Sequence, residues 1–311
     1  MTGVPAMGPR DWARLIVLSL LWGGTFLFVG VAVAEVPPLT IVLARVGLAA
    51  MALNLVLVAM GQRLPGQWSV LGALAVMAVL NNVIPFCLLV WGQTRIASGL
   101  AAILNATTPL FTVLIAHWVT VDERLTPARL AGVLLGVAGV AILVGPSLAG
   151  AAGADLLAEL ACLGAALSYA VASLFGRRFR ALSVTPLQTA TGQVTASTAI
   201  LLPHALALDR PWTLAMPSFE TLASLVAPAL ASTALAYILF FRTLASAGAT
   251  NLMLVTLLFP ARAVILGAVV LGEALGAPTF IGLGLIALGL AAIDGRPWAR
   301  LRGLTGRPGR A

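Results

Sequence analysis

The chain has 311 residues, of which 60% are hydrophobic and 9% are charged, and its mean hydropathy is +1.05. A water-soluble globule of this size needs more polar residues to cover its surface, so the composition predicts an integral membrane protein. The formal net charge is +8, and all eighteen basic residues are arginines. Because most of them lie in short connections or in the tail, without an RNA-binding motif, nucleic acid is not an expected partner.

Ten apolar runs separated by polar or Pro/Gly-rich breaks predict ten transmembrane helices. We name them spans 1 to 10 and place them at 14–33, 38–60, 68–91, 97–119, 127–145, 155–177, 184–207, 218–241, 248–271 and 277–293. Span 1 is longer than the core of a signal peptide, so we expect it to be retained.

The second half of the chain repeats the first at an offset of about 150 residues, as in Glu123 and Glu273 or Gly132 and Gly282. We therefore predict a five-helix repeat at 1–145, a flexible linker of small residues at 146–154, a second repeat at 155–295 and a basic tail at 296–311. Because five is odd, the second repeat must enter the bilayer from the opposite side, as is common in secondary transporters. The expected fold class is an all-α integral membrane protein with ten transmembrane helices in two inverted repeats.

The arginines also predict the orientation of the chain. With a cytoplasmic N-terminus, fourteen arginines fall on the inner side and only Arg95 and Arg210 on the outer side. This bias follows the positive-inside rule and predicts a protein of the cell membrane with both termini in the cytoplasm.

Two arginines, Arg45 in span 2 and Arg262 in span 9, lie within apolar sequence. An arginine at such depth costs about 2.5–3.5 kcal/mol, so it usually faces a cavity or a partner. One interpretation is a cationic pair that binds an anionic group of a substrate. The other is structural pairing with helix-end carbonyls or with Glu35.

Further candidates for substrate contact are polar or aromatic residues inside apolar spans. The polar ones are Asn81, Asn82, Gln193, Ser232 and Tyr237, and Gln193 takes the place of Arg45 in the second repeat. They are either contacts between helices or the lining of a cavity. Trp22 and its counterpart Tyr169 would add aromatic walls, and such a lining suits a small amphipathic organic solute.

Two prolines, Pro109 in span 4 and Pro260 in span 9, occupy nearly corresponding places in the repeats. Proline removes a backbone donor, so we predict helix breaks there, which serve as hinges or substrate sites or are static kinks. The glycines of spans 5 and 10 indicate close helix packing rather than nucleotide loops. Glu123 and Glu273, at the ends of spans, are interpreted as helix caps.

Several motifs follow one another along the chain: Leu21-Trp22-Gly23-Gly24-Thr25-Phe26, Pro37-Pro38 followed by Arg45, Pro109 and Pro260, Asp122-Glu123-Arg124-Leu125-Thr126, Gly272-Glu273-Ala274-Leu275, and the glycine-rich spans 5 and 10. In these features the chain resembles the drug/metabolite transporter superfamily, specifically its ten-helix EamA-type members. The resemblance implies a central cavity lined by spans 1 to 4 and 6 to 9, with spans 5 and 10 as a peripheral scaffold. It also implies export or exchange of small metabolites, often amino acids. Tyr169 departs from the pattern, because a tryptophan is expected there.

Together these features predict a secondary transporter, an exporter or exchanger of small organic metabolites such as amino acids or related compounds, working by alternating access. Its expected partners are a small-molecule substrate and the lipid bilayer, without a cofactor or metal, and a homodimer is left open. Substrate, direction and energy source are also open, with His117 as one candidate proton site. A non-transporting scaffold is one alternative. A membrane-embedded enzyme is disfavoured, because no zinc-protease, paired-aspartate or serine-nucleophile motif occurs.

Overall fold

A computed structural model of the chain describes residues 7–119, 125–149, 153–252 and 254–294. Within these ranges each predicted span is helical. Seven spans are single helices: span 1 at Pro9–Ala32, span 2 at Pro38–Ala59, span 5 at Pro127–Ala149, span 6 at Gly153–Gly176, span 7 at Pro186–Leu208, span 9 at Val255–Val270 and span 10 at Ala277–Asp294. Spans 6 and 7 are connected through a short helix at Arg178–Ala181, and a 3-10 turn at Pro211–Thr213 follows span 7.

The other three spans are composite. Span 3 consists of Trp68–Ala78, a π-helical segment at Val79–Val83 and Ile84–Gly92. Span 8 likewise joins Phe219–Ala227, a π-helical segment at Pro228–Leu235 and Ala236–Leu252. Span 4 is divided into Ser98–Asn105 and Thr108–Val119. Spans 3 and 8 are equivalent in the two repeats, so the π-helical segment belongs to the repeated unit.

In the described part of the chain, eight helices are long and apolar enough to cross a membrane. Span 9 is shorter, with sixteen residues, and span 7 is more polar than the others. Three polar residues of span 7, Thr191, Gln193 and Ser197, are turned inward and buried, which keeps them out of contact with lipid.

The equivalent helices of the two repeats run antiparallel. In spans 5 and 10, Gly132 faces Gly289 and Gly139 faces Gly282. A Cβ atom on Gly132 would lie 2.5 Å from the carbonyl oxygen of Gly289, so only glycine permits this approach. The prediction of close glycine packing is therefore confirmed, and the antiparallel pairing confirms the inverted repeat.

Several contacts between a span of the first repeat and a span of the second have an equivalent contact in which the roles of the two repeats are exchanged. Span 1 packs against span 9, and the equivalent span 6 packs against span 4. Span 3 packs against span 6 just as span 8 packs against span 1, and spans 2 and 7 pack against each other. Eight spans thereby surround one centre, and the pair formed by spans 5 and 10 lies at the side.

Of the linker predicted at 146–154, residues 146–149 continue span 5 and residues 153 and 154 begin span 6, while residues 150–152 lie outside the described ranges. Ser147 donates to Glu159 of span 6, at 2.8 Å. The helix break expected at Pro260 is wrong, because span 9 runs through this proline. Glu123 and the predicted basic tail lie outside the described residues.

Candidate functional site

A cavity of about 740 Å³ lies between the two repeats. The described residues that line it come from spans 1 to 4 and 6 to 9 and from the connection between spans 6 and 7. Three of these lining residues are exposed, Ser173, Arg180 and Pro186, and all of them lie where span 6 leads into span 7. At the other end Val29 and Val90 are buried. The cavity is therefore open at one end and closed at the other.

Arg45 presents its guanidinium group to this cavity. Its Nε donates to Thr233 Oγ1 at 3.4 Å, and its Cζ lies 3.9 Å from the centre of the Phe86 ring, a distance typical of a cation–π contact. No ion pair joins Arg45 to a carboxylate in the described ranges, and Glu35 accepts from Ser218 instead. The structural alternative, pairing of Arg45 with Glu35, is therefore not seen.

A chain of polar side chains crosses the cavity wall from span 3 to span 8. Asn81 Nδ2 donates to Gln193 Oε1 at 2.9 Å, and Gln193 Nε2 donates to the Tyr237 hydroxyl at 3.3 Å. All three residues line the cavity. The π-helical segment of span 3 contains Asn81, and such segments often occur at functional sites.

Aromatic rings form much of the remaining wall. The rings of Trp22 and Phe240 are 5.9 Å apart, and those of Phe86 and Tyr169 are 6.5 Å apart. These spacings are typical of paired aromatic side chains. Because Phe86 also contacts Arg45, the only lining arginine placed inside a span is embedded in an aromatic wall. Such a site can bind an anionic group and an apolar body together.

Most of the candidates from the sequence meet at this cavity. The lining includes Trp22, Arg45, Asn81, Pro109, Tyr169, Gln193, Ser232 and Tyr237. Ser232 also holds two helices together, because its Oγ donates to the Leu21 carbonyl at 2.6 Å. Pro109 follows the interruption of span 4 at residues 106 and 107, so the helix break expected there is confirmed.

Other candidates lie outside the lining. Asn82 is buried and donates to Ser197 Oγ at 3.0 Å, which makes it a contact between spans 3 and 7. Arg262 donates from Nη1 to the Ile16 carbonyl at 2.8 Å, the kind of carbonyl pairing that was the structural alternative. Pro260 is buried within span 9. The His117 ring accepts from the Leu125 backbone at 3.3 Å.

Several lining residues were not chosen as substrate contacts from the sequence: Phe86, Gln93, Asn105, Arg180, Thr233 and Phe240. An aromatic residue in an apolar span has no pattern that distinguishes a cavity wall from a packed core. Gln93 and Arg180 fall at or beyond helix ends, where polar residues are ordinary. The offset of about 150 residues gave one usable signal, because it aligns the asparagines of span 3 with Ser232 and Thr233.

Carboxylates from one repeat cap helices of the other at the closed end. Asp209 accepts from the Thr40 backbone and hydroxyl, at 2.7 and 2.9 Å. Glu273 accepts from the backbone N–H groups of Ser98 and Gly99, at 2.6 and 3.1 Å, so its predicted role as a helix cap is confirmed. Acceptors at helix N-termini are stabilising, because the first N–H groups have no partner within the helix.

Glu35 makes a third contact of this kind at the start of span 8. It accepts from the backbone N–H and the hydroxyl of Ser218, both at 2.7 Å. These hydrogen bonds from Ser218 hold the pKa of Glu35 below its ordinary value. The closed end is thus fastened across the two repeats by three carboxylates.

A cavity shared by two inverted repeats of membrane helices is the architecture of a transporter. The EamA-like transporter family matches residues 12–145 and 156–293, one match in each half of the chain. The chain therefore belongs to this family, as the resemblance in its motifs indicated, and it is a multi-pass membrane protein.

The chain is also similar to individual bacterial proteins. The uncharacterized transporter YoaV of Bacillus subtilis (strain 168) is 24% identical over 281 residues, which cover 89% of this chain and 94% of YoaV. The uncharacterized inner membrane transporter YedA of Escherichia coli (strain K12) is 26% identical over 290 residues, with coverage of 91% and 90%. A probable amino-acid metabolite efflux pump of the same strain is 26% identical over 180 residues, 58% of each chain.

One solved crystal structure shares the fold. Its TM-score is 0.65 at 21% identity, and the match covers 91% of this chain and 96% of that chain. The likeness extends over both repeats, so the arrangement of helices described above is found in a second protein.

Proposed function

We propose that this protein is a secondary transporter, an exporter or exchanger of small organic metabolites such as amino acids or related compounds. The observation that carries the proposal is the Arg45 guanidinium group, which faces a cavity with aromatic walls. No carboxylate in the described ranges pairs with it. A solute with a carboxylate and an apolar body would supply the missing anion and fill the space beside the rings.

Alternating access is part of this proposal, and the asymmetry of the cavity supports it. The end near Arg180 is open, and the end near Val29 and Val90 is closed. Because the repeats are inverted, exchanging their conformations would close the first end and open the second. The carboxylate caps at the closed end would be the contacts that break in this exchange.

The orientation belongs to the same proposal. The connection between spans 6 and 7 carries Arg177, Arg178 and Arg180, and it borders the open end. By the positive-inside rule this end faces the cytoplasm, with both termini on the same side, in the cell membrane. The described conformation is then open to the inside. The amino-acid metabolite named for one partial relative supports the proposed class of solute.

Flux measurements in proteoliposomes test the proposal. A panel of radiolabelled amino acids and aromatic carboxylates is offered to wild type, Arg45→Ala and Arg45→Lys. We expect saturable flux of at least one carboxylate, with Arg45→Ala raising its KM about tenfold or more, because a charge-assisted hydrogen bond contributes about 1.5–3 kcal/mol. Arg45→Lys should retain part of the affinity, because it keeps the charge.

Two results would contradict this function. Absence of flux for every member of the panel would argue against a metabolite transporter. An Arg45→Ala variant with unchanged KM would show that Arg45 does not contribute to substrate binding. An imposed pH gradient, applied to the same vesicles, distinguishes proton-coupled transport from exchange.

A further inference from the structure

The Arg45 side chain is held on two sides by residues of the cavity wall. Its Nε atom donates to Thr233 Oγ1 at 3.4 Å, and its Cζ atom lies 3.9 Å from the centre of the Phe86 ring. Thr233 and Phe86 are themselves buried and line the cavity. The guanidinium group is therefore held through one N–H group and through one of its flat faces.

The Thr233 hydroxyl group connects Arg45 to the backbone of span 8. It donates its single hydrogen to the Pro228 carbonyl at 3.1 Å, five residues earlier in the same π-helical segment. The hydroxyl oxygen still has lone pairs with which it accepts from Arg45 Nε. The position of the arginine thus depends on a continuous series of contacts that begins in the π-helical segment.

The Phe86 ring is fixed by its own neighbours. It meets the Tyr169 ring at a centroid distance of 6.5 Å and an interplanar angle of 62°. It also belongs to a hydrophobic cluster with Val46 and Val90. A closely packed side chain keeps one orientation, so the face that Phe86 presents to Arg45 is fixed as well.

These two contacts leave the outer end of the guanidinium group free. In the described part of the chain, no residue accepts a hydrogen bond from Nη1 or Nη2 of Arg45. Because Nε has one hydrogen and Thr233 accepts it, a carboxylate cannot bind side-on through Nε and one Nη atom. The arrangement that remains is end-on, with the two oxygens of a carboxylate on Nη1 and Nη2.

We propose that Thr233 and Phe86 are positioning residues, which fix the plane and direction of Arg45 so that a substrate carboxylate binds end-on to Nη1 and Nη2. The inference rests on the proposed function and adds how the site selects its solutes. An arginine that is already ordered loses less side-chain entropy when it binds an anion. The site therefore favours a carboxylate over a neutral amide of the same shape, and it loses this preference when Arg45 is released.

A carboxylate and its neutral amide separate positioning from a structural role. Dissociation constants of 3-phenylpropionate and 3-phenylpropionamide are measured by calorimetry on purified wild type, Thr233→Val, Thr233→Ser and Phe86→Leu. Valine keeps the shape of threonine without the hydroxyl group, and serine keeps the hydroxyl group. The matched control is Thr243→Val, because Thr243 is also a buried threonine of span 8, but it lies outside the cavity lining and donates to the Leu239 carbonyl.

We expect wild type to bind the carboxylate about tenfold more tightly than the amide, and Thr233→Val and Phe86→Leu each to lower this preference about fivefold. Thr233→Ser and Thr243→Val should keep the preference of wild type. In an Arg45→Ala background, Thr233→Val should have no further effect on the preference, because its hydroxyl group acts only through the arginine. Thermal unfolding identifies the variants that fold, and Phe86→Leu carries the test if Thr233→Val does not.

An unchanged preference in Thr233→Val and Phe86→Leu, together with its loss in Arg45→Ala, would overturn the positioning and leave the proposed function intact. Equal weakening of both probes in these two variants would show a purely structural role and would also overturn it. If wild type binds the carboxylate no better than the amide, the end-on site is wrong. Absence of flux for every carboxylate of the panel would then mark the failure of the proposed function as well.

Discussion

At the scale of single residues, the two arginines inside the spans have different surroundings. Arg45 faces the cavity and lies over the Phe86 ring. Arg262 lies outside the cavity lining and donates to a backbone carbonyl of span 1. The two arginines cost a similar amount to insert into the membrane, but their surroundings differ. The difference depends on which face of the helix carries the side chain.

We expect Arg262→Ala to lower stability with little effect on substrate affinity. The Ile16 carbonyl loses its charged donor, and hydrogen bonds to charged groups contribute about 1.5–3 kcal/mol. Thermal unfolding in detergent measures the first effect, and KM for the best carboxylate of the panel measures the second. If Arg262→Ala raised KM as much as Arg45→Ala, the cationic pair first suggested by the sequence would be supported instead.

Much of the site could be predicted from the sequence, because polar groups in apolar spans are rare and need a reason. Seven of the nine residues chosen for substrate contact line the cavity. The two that do not, Asn82 and Arg262, are polar in the same way and differ only in facing another helix. The packing of the helices decides which way a side chain faces. Next to a π-helical segment, the ordinary periodicity of 3.6 residues per turn no longer predicts this direction.

At the scale of helices, irregular segments occur at equivalent places in the two repeats. The π-helical segments of spans 3 and 8 lie in corresponding places. In span 3, Pro85 removes the backbone donor that would bond to the Asn81 carbonyl, so the helix has lost one regular bond there. The composition of the spans predicted their number and order. It could not predict which proline interrupts a helix, because Pro109 follows an interruption and Pro260 lies in a continuous helix.

The cap that Glu35 provides for span 8 should make stability depend on pH. Its pKa in the folded protein is lowered by hydrogen bonds from Ser218, so the cap contributes above the unfolded pKa and is lost as pH falls through the folded value. We expect the unfolding temperature of wild type to fall from pH 6 toward pH 3 more steeply than that of Glu35→Gln. Parallel curves for the two proteins would show that Glu35 does not titrate differently on folding.

At the scale of the whole molecule, the two repeats are related by symmetry but are not in the same conformation. Their helices pair in exchanged combinations, and yet the cavity opens at one end only. The carboxylate contacts Asp209 to Thr40 and Glu273 to Ser98 link opposite repeats at the closed end. In the proposed alternating access, such contacts must be strong enough to hold one end shut and weak enough to break during each cycle.

Reactivity of introduced cysteines measures this asymmetry. In a background with Cys87→Ala and Cys162→Ala, Thr189→Cys at the open end should react with a membrane-impermeant thiol reagent in inside-out vesicles. Val90→Cys at the closed end should react slowly from either side. Adding Asp209→Ala removes a helix cap that contributes about 1 kcal/mol, so labelling of Val90→Cys from the outside should rise about fivefold. Labelling of Thr189→Cys only in right-side-out vesicles would reverse the orientation, and fast labelling of Val90→Cys without Asp209→Ala would show that this end is not held shut.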